Sequence, residues 1–150
     1  MIKTKQVQQM LDAVHLSPRD SREVSAYLSQ RAKKADKYRE GRLKQANNNY
    51  QLGMADLANV RTLAERLEYR VVSGDLSPQE ARAELDTLRR SYQAGWETVE
   101  TAGASVAEIT ATDPVEAHEA FLESIPALAE RVVPPLPVCL ARAAHEQQAE

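Results

Sequence analysis

Cysteine is nearly absent. Cys139 stands alone, which excludes an internal disulfide and a cysteine-built zinc site within one chain, and suits a reducing compartment. Aromatic residues are scarce: one Phe, one Trp and five Tyr in 150 residues. The apolar content is largely Ala, Leu and Val, so close helix–helix contact is expected rather than a thick globular core. No apolar run approaches the length of a bilayer span, and the opening MIKTKQVQQMLDAV lacks the apolar core of a secretory leader. These absences point to the cytoplasm, or to an assembly formed there.

Chemical signatures are missing too. The sequence contains no glycine-rich phosphate loop, no GxSxG and no HExxH. His15, His118 and His145 are far apart in sequence. Glu116, Glu119 and Glu123 lie near His118, but no other segment supplies the matching Glu-x-x-His element of a bundle metal site. A solvated acidic face is the expected reading of that cluster. Cys139, between Val138 and Leu140, reads as a small core residue rather than a nucleophile. No catalytic activity, cofactor, metal or small-molecule substrate is expected.

What the chain does have is helix punctuation. Residues 4–15 suit a short helix with Val7, Leu11 and Val14 on one side. Ser17-Pro18-Arg19-Asp20 is a helix start, with Ser17 as cap and Pro18 in the first turn. No proline follows until Pro78, so residues 18–72 form one helix of roughly 80 Å, or two if Gly41 or the Asn47–Asn49 run breaks it. Leu43, Ala46, Tyr50, Gly53, Leu57, Val60, Ala64, Leu67 and Val71 recur at threes and fours, a coiled-coil seam in which the small residues permit close packing. A second stripe, Val24, Tyr27, Leu28, Ala32, Ala35 and Tyr38, falls out of step near Glu40–Gly41.

Ser73-Gly74-Asp75 marks a turn, and Ser77-Pro78-Gln79-Glu80 repeats the start signal. The next helix is expected over about 78–102 and antiparallel to the last, burying Ala81, Leu85, Leu88, Tyr92, Trp96 and Val99. Residues 103–112 read as a linker. Asp113-Pro114-Val115-Glu116 opens an acidic helical region, 113–150, with a rigid elbow at Pro134–Pro137 and a fraying tail from His145. Arg131, Pro134 and Pro137 match a polyproline-ligand pattern, which the elbow explains better. The fold class is thus all-α: a short helix over 1–16, an elongated helical hairpin over 17–102, then the linker and the C-terminal helices.

Charge is polarised along this framework. Residues 1–95 carry +5 and residues 96–150 carry −8. Seven cations, Arg31, Lys33, Lys34, Lys37, Arg39, Arg42 and Lys44, crowd one stretch against Asp36 and Glu40. They ring the helix without a recognition face, so docking of the acidic C-terminal third is favoured over phosphate binding. A long helix with a partly uncovered apolar stripe needs the N-terminal helix, the C-terminal helices or another subunit as cover.

These features point to a non-enzymatic scaffolding or assembly protein that self-associates or helps organise a larger particle, a virus particle among them. The assembly seam is assigned to Leu43, Tyr50, Leu57, Val60, Leu67, Val71, Leu85, Leu88, Tyr92 and Trp96. The alternatives are a nucleic-acid accessory protein using residues 31–44, and a small protein-binding adaptor or inhibitor. No membrane partner is expected, since the apolar tail is also acidic.

Overall fold

The computed structural model describes residues 1–149 and is helical from end to end: α1 (Thr4–Ala13), α2 (Pro18–Val72), α3 (Pro78–Ala111), α4 (Pro114–Ser124), α5 (Pro126–Val132) and α6 (Val138–Ala149). The starts use the expected chemistry. Ser17 Oγ accepts from the Asp20 amide and Ser77 Oγ from the Glu80 amide, both at 3.2 Å. Asp113 Oδ1 accepts from the amides of Val115 and Glu116. Each cap satisfies one or two amides that the first helical turn leaves without partners. The α2–α3 turn closes at Gly74, where φ is +82°. The amides of Asp75 and Leu76 donate back to the Arg70 carbonyl. A side chain would strain that left-handed position, and glycine escapes the penalty.

Helix α2 is one continuous helix of 55 residues. Neither Gly41 nor Asn47–Asn49 breaks it. The chain divides into two compact units, residues 1–41 with 112–150, and residues 42–111. The loss of step near Gly41 thus falls where α2 passes from one unit to the other. In place of the expected linker over 103–112, α3 continues to Ala111, because Gly103 lies within a helix that still buries Ala102 and Ile109. The helix stops at Thr112–Asp113, where Asp113 caps the next one. Pro134–Pro137 is the non-helical elbow between α5 and α6. The expected fraying of the tail lies partly outside the described residues, at Glu150; α6 runs to Ala149.

In the first unit, Val24 and Tyr27 of α2 are covered within the same chain. They join Val7 and Met10 of α1 and Leu140 of α6 in one apolar cluster, with Leu28, Leu136 and Cys139 packed around it. The N-terminal and C-terminal helices share the task that the sequence left open between them and another subunit.

In the second unit, α2 and α3 run antiparallel, and two glycines face each other across the seam. A Cβ on Gly53 would lie 3.2 Å from the Val99 amide nitrogen and 3.3 Å from the Gly95 carbonyl oxygen. A Cβ on Gly95 would lie 2.9 Å from a Leu57 methyl. The backbones therefore approach more closely than larger residues allow. Ala46, Val60 and Leu67 of α2 and Val99, Ala102 and Ile109 of α3 fill the buried rows.

Gly41 shows how different this seam is, since a Cβ there meets nothing within 4 Å. Gly41→Ala should stabilise the protein by about 0.5–1 kcal/mol through helix propensity. Gly53→Leu should destabilise it by about 1–3 kcal/mol through overpacking. Urea unfolding followed by circular dichroism checks both signs.

Candidate assembly surface

The residues expected to form the α2–α3 seam separate into an inner set and an outer set. Val60 and Leu67 are buried, and Leu43, Leu57, Val71 and Leu88 are half-buried. Tyr50, Leu85, Tyr92 and Trp96 are instead exposed by 39–46%. Their assignment to the buried face of the hairpin is corrected by the glycine contact. The inward row of α3 runs through Gly95, Val99 and Ala102, which turns the neighbouring row of Leu85, Tyr92 and Trp96 onto a flank.

The two flanks of the hairpin differ in chemistry. One holds a cavity of about 350 Å³ lined by Asp56, Asn59 and Leu63 of α2 and Ser91, Ala94 and Thr98 of α3. It continues into a shallow cleft lined by Ala46 and Asn49 of α2 and Glu97, Thr98, Thr101 and Ser105 of α3. The opposite flank follows from helix geometry. Residues four further along than the inward row are turned to one side by about 40°, and antiparallel partners turn to the same side. Tyr50 and Leu57 of α2 therefore share a flank with Leu85, Tyr92 and Trp96 of α3, and Met54, 42% exposed, lies at its margin. Tyr92 and Trp96 contact edge to face at 6.3 Å. This flank gathers exposed aromatic and aliphatic side chains, whereas the lining of the other mixes Asp, Asn, Ser and Thr with Leu63 and Ala94. An isolated exposed Leu needs no explanation, whereas a clustered patch does.

The basic stretch is divided by the first unit. Arg31, expected at the charged surface, is only 2% exposed. Its Nη2 donates to Glu119 Oε1 at 2.8 Å, and its Nη1 donates to Tyr27 Oη at 2.9 Å and the Ile2 carbonyl at 3.2 Å. Glu119 Oε1 also accepts from the amide and hydroxyl of Thr4, at 2.8 and 2.6 Å. Glu119 thus leaves the solvated acidic face expected of it and becomes a buried anchor joining α1, α2 and α4. Lys34 Nζ donates to the Val132 carbonyl, and Lys3 pairs with Glu123 at 3.0 Å. Arg39 is half-buried, and its Nε lacks a hydrogen-bond partner among the described residues. Arg42 is half-buried, while Lys33, Lys37 and Lys44 stay exposed. The seven cations do not form one surface. The acidic C-terminal part docks on α2 within the chain.

His118 is buried beside this anchor, its ring 5.3 Å from that of Tyr38, which in turn stacks on Phe121 at 4.8 Å. Burial lowers its pKa below the usual imidazole value; the Arg31 and Lys34 charges lower it further and Glu119 opposes them. Among the described residues no three His, Cys, Asp or Glu side chains converge on a point that could hold a metal ion. No described helix is long and apolar enough to cross a membrane. The signal for the Arg31–Glu119 pair was present as two unremarkable charges 88 positions apart, and nothing local in the sequence links them.

Glu119→Ala leaves the Arg31 guanidinium buried without its anion and should cost about 3–5 kcal/mol. The double variant Arg31→Met/Glu119→Leu should cost clearly less, because no uncompensated charge remains. Chemical denaturation of the three proteins measures the difference. The lowered His118 pKa sets a pH dependence of definite sign. The unfolded chain takes up a proton near pH 6.5 that the folded chain resists, so stability falls as pH drops below that value. His118→Gln should flatten this fall, read from thermal melts between about pH 7.5 and 5.5.

No family model matches the chain, and neither a curated protein nor a solved structure matches it.

Proposed function

We propose that this chain is a non-enzymatic assembly protein that associates with copies of itself through the apolar flank of its hairpin. One observation carries the reading: Tyr50, Leu85, Tyr92 and Trp96 are exposed on one flank of the hairpin, and Tyr92 and Trp96 contact edge to face there. Two helices have a single mutual seam. A third or fourth helix is what converts such a pair into a bundle with an enclosed core. The chain's other apolar face, around Val24 and Tyr27, already has its cover in α1 and α6. Aromatic side chains supply large contact area at low conformational cost, which suits them to an interface. A rigid hairpin with one adhesive flank is a serviceable building block for a larger assembly.

Absolute mass by light scattering after size exclusion tests this, at about 50 mM and 1 M salt, since charge contacts weaken and apolar contacts persist at the higher ionic strength. An oligomer that persists at high salt is expected. Tyr92→Ser/Trp96→Ser should shift it to monomer with helicity retained. A wild-type monomer at both salts overturns the proposal. A low-salt species with raised absorbance at 260 nm, lost at high salt, would instead indicate nucleic-acid binding.

A further inference from the structure

The first unit holds a cavity of about 420 Å³ that the hairpin flank has no part in. Tyr27 of α2, Leu122 of α4 and Ala129 of α5 are its most buried lining residues, none more than 7% exposed. Ile2, Val133 and Leu136 add half-buried apolar walls. Close-packed interiors rarely leave a void larger than a water molecule. A concavity of several hundred Å³ with apolar walls and a few polar groups is the usual form of a small-molecule site.

The walls are held in place. Pro126, which opens α5, and Pro134, in the elbow beyond it, both line the cavity, and each ring fixes its own φ. The Tyr27 hydroxyl accepts from Arg31 Nη1 at 2.9 Å, and the same nitrogen donates to the Ile2 carbonyl at 3.2 Å. The guanidinium that anchors Glu119 therefore also positions two of the walls. The cavity is preformed, so little ordering is required of the protein when it is filled.

Charge selects what fills it. The two charged side chains in the lining are both carboxylates, Glu123 and Glu130. Glu123 pairs with Lys3 at 3.0 Å. Glu130 is exposed and has no ion-pair partner among the described residues. An anionic ligand would be repelled here. A neutral apolar ligand would take water from the Glu130 carboxylate and offer it nothing in return. From this arrangement we infer that the cavity binds a small amphiphilic cation, its apolar body against Leu122, Ala129 and Val133 and its ammonium group at Glu130. The site lies within the first unit alone and is independent of self-association through the hairpin.

Octylammonium, octanol and octanoate test this on the full-length chain, since they share a chain length and differ in head charge. In titrations at low salt octylammonium should bind most tightly and octanoate least. Methyl resonances of Leu122 and Val133 should shift as it binds. Trp96, the only tryptophan, reports by its fluorescence any separate binding on the hairpin flank. Glu130→Gln should weaken octylammonium about threefold, the scale of an exposed ion pair, and bring it near octanol. Glu130→Lys should reverse the order, placing octanoate above octylammonium. Circular dichroism confirms that both variants are folded, as expected for changes at an exposed position. Absence of binding, equal binding of the three compounds, an order that Glu130→Lys leaves unchanged, or a response confined to Trp96 overturns the site.

Discussion

The close approach of α2 and α3 at Gly53 and Gly95 governs what the hairpin can bury. Where a side chain would reach the opposite backbone, only a glycine fits, and helices held that near have no space between them for a ring. The seam accordingly takes Ala46, Val60, Val99 and Ala102, and the bulkier Tyr50, Tyr92 and Trp96 are displaced to a flank. Tight packing inside and an apolar surface outside are therefore two results of one constraint. That flank retains unburied apolar area, which the proposed self-association would remove from water.

The first unit solves a different problem. Apart from α2 its helices are short, and its apolar cluster of Val7, Met10, Val24, Tyr27 and Leu140 is small. A polar anchor adds direction. Arg31 and Glu119 pair at 2.8 Å with their side chains almost wholly buried, and Thr4 gives both of its donors to the same carboxylate oxygen. A desolvated ion pair contributes little net stability compared with apolar packing, but it strongly penalises arrangements that separate its partners. Here it specifies which face of α4 meets α2, and where α1 begins. His118 next to it makes the same cluster responsive to protons.

Helix boundaries were legible because their chemistry is local. Ser17, Ser77 and Asp113 each cap amides two or three residues ahead, and Gly74 adopts the conformation for which glycine is the usual choice. The hairpin and its sense followed from these signals and a short turn. The inward row of α3 was not legible. Apolar residues at threes and fours occupy two neighbouring rows, and a hydrophobicity argument picks the row with the aromatics, whereas packing picks the row with the glycine. The end of α3 was misjudged for a related reason, as the small residues of the expected linker over 103–112 resemble a loop although the alanines among them favour helix.

By itself, then, the sequence determined an all-helical chain, the start of each long helix, the turn at Gly74 and the antiparallel pairing across it, because capping, turn conformation and helical periodicity act within a few residues. Tertiary structure decided which charges are buried and which apolar row faces outward. Arg31 meets Glu119 from 88 positions away, and Trp96 lies outside because Gly95 lies inside. Both outcomes depend on how close two backbones come, a distance that no local pattern encodes.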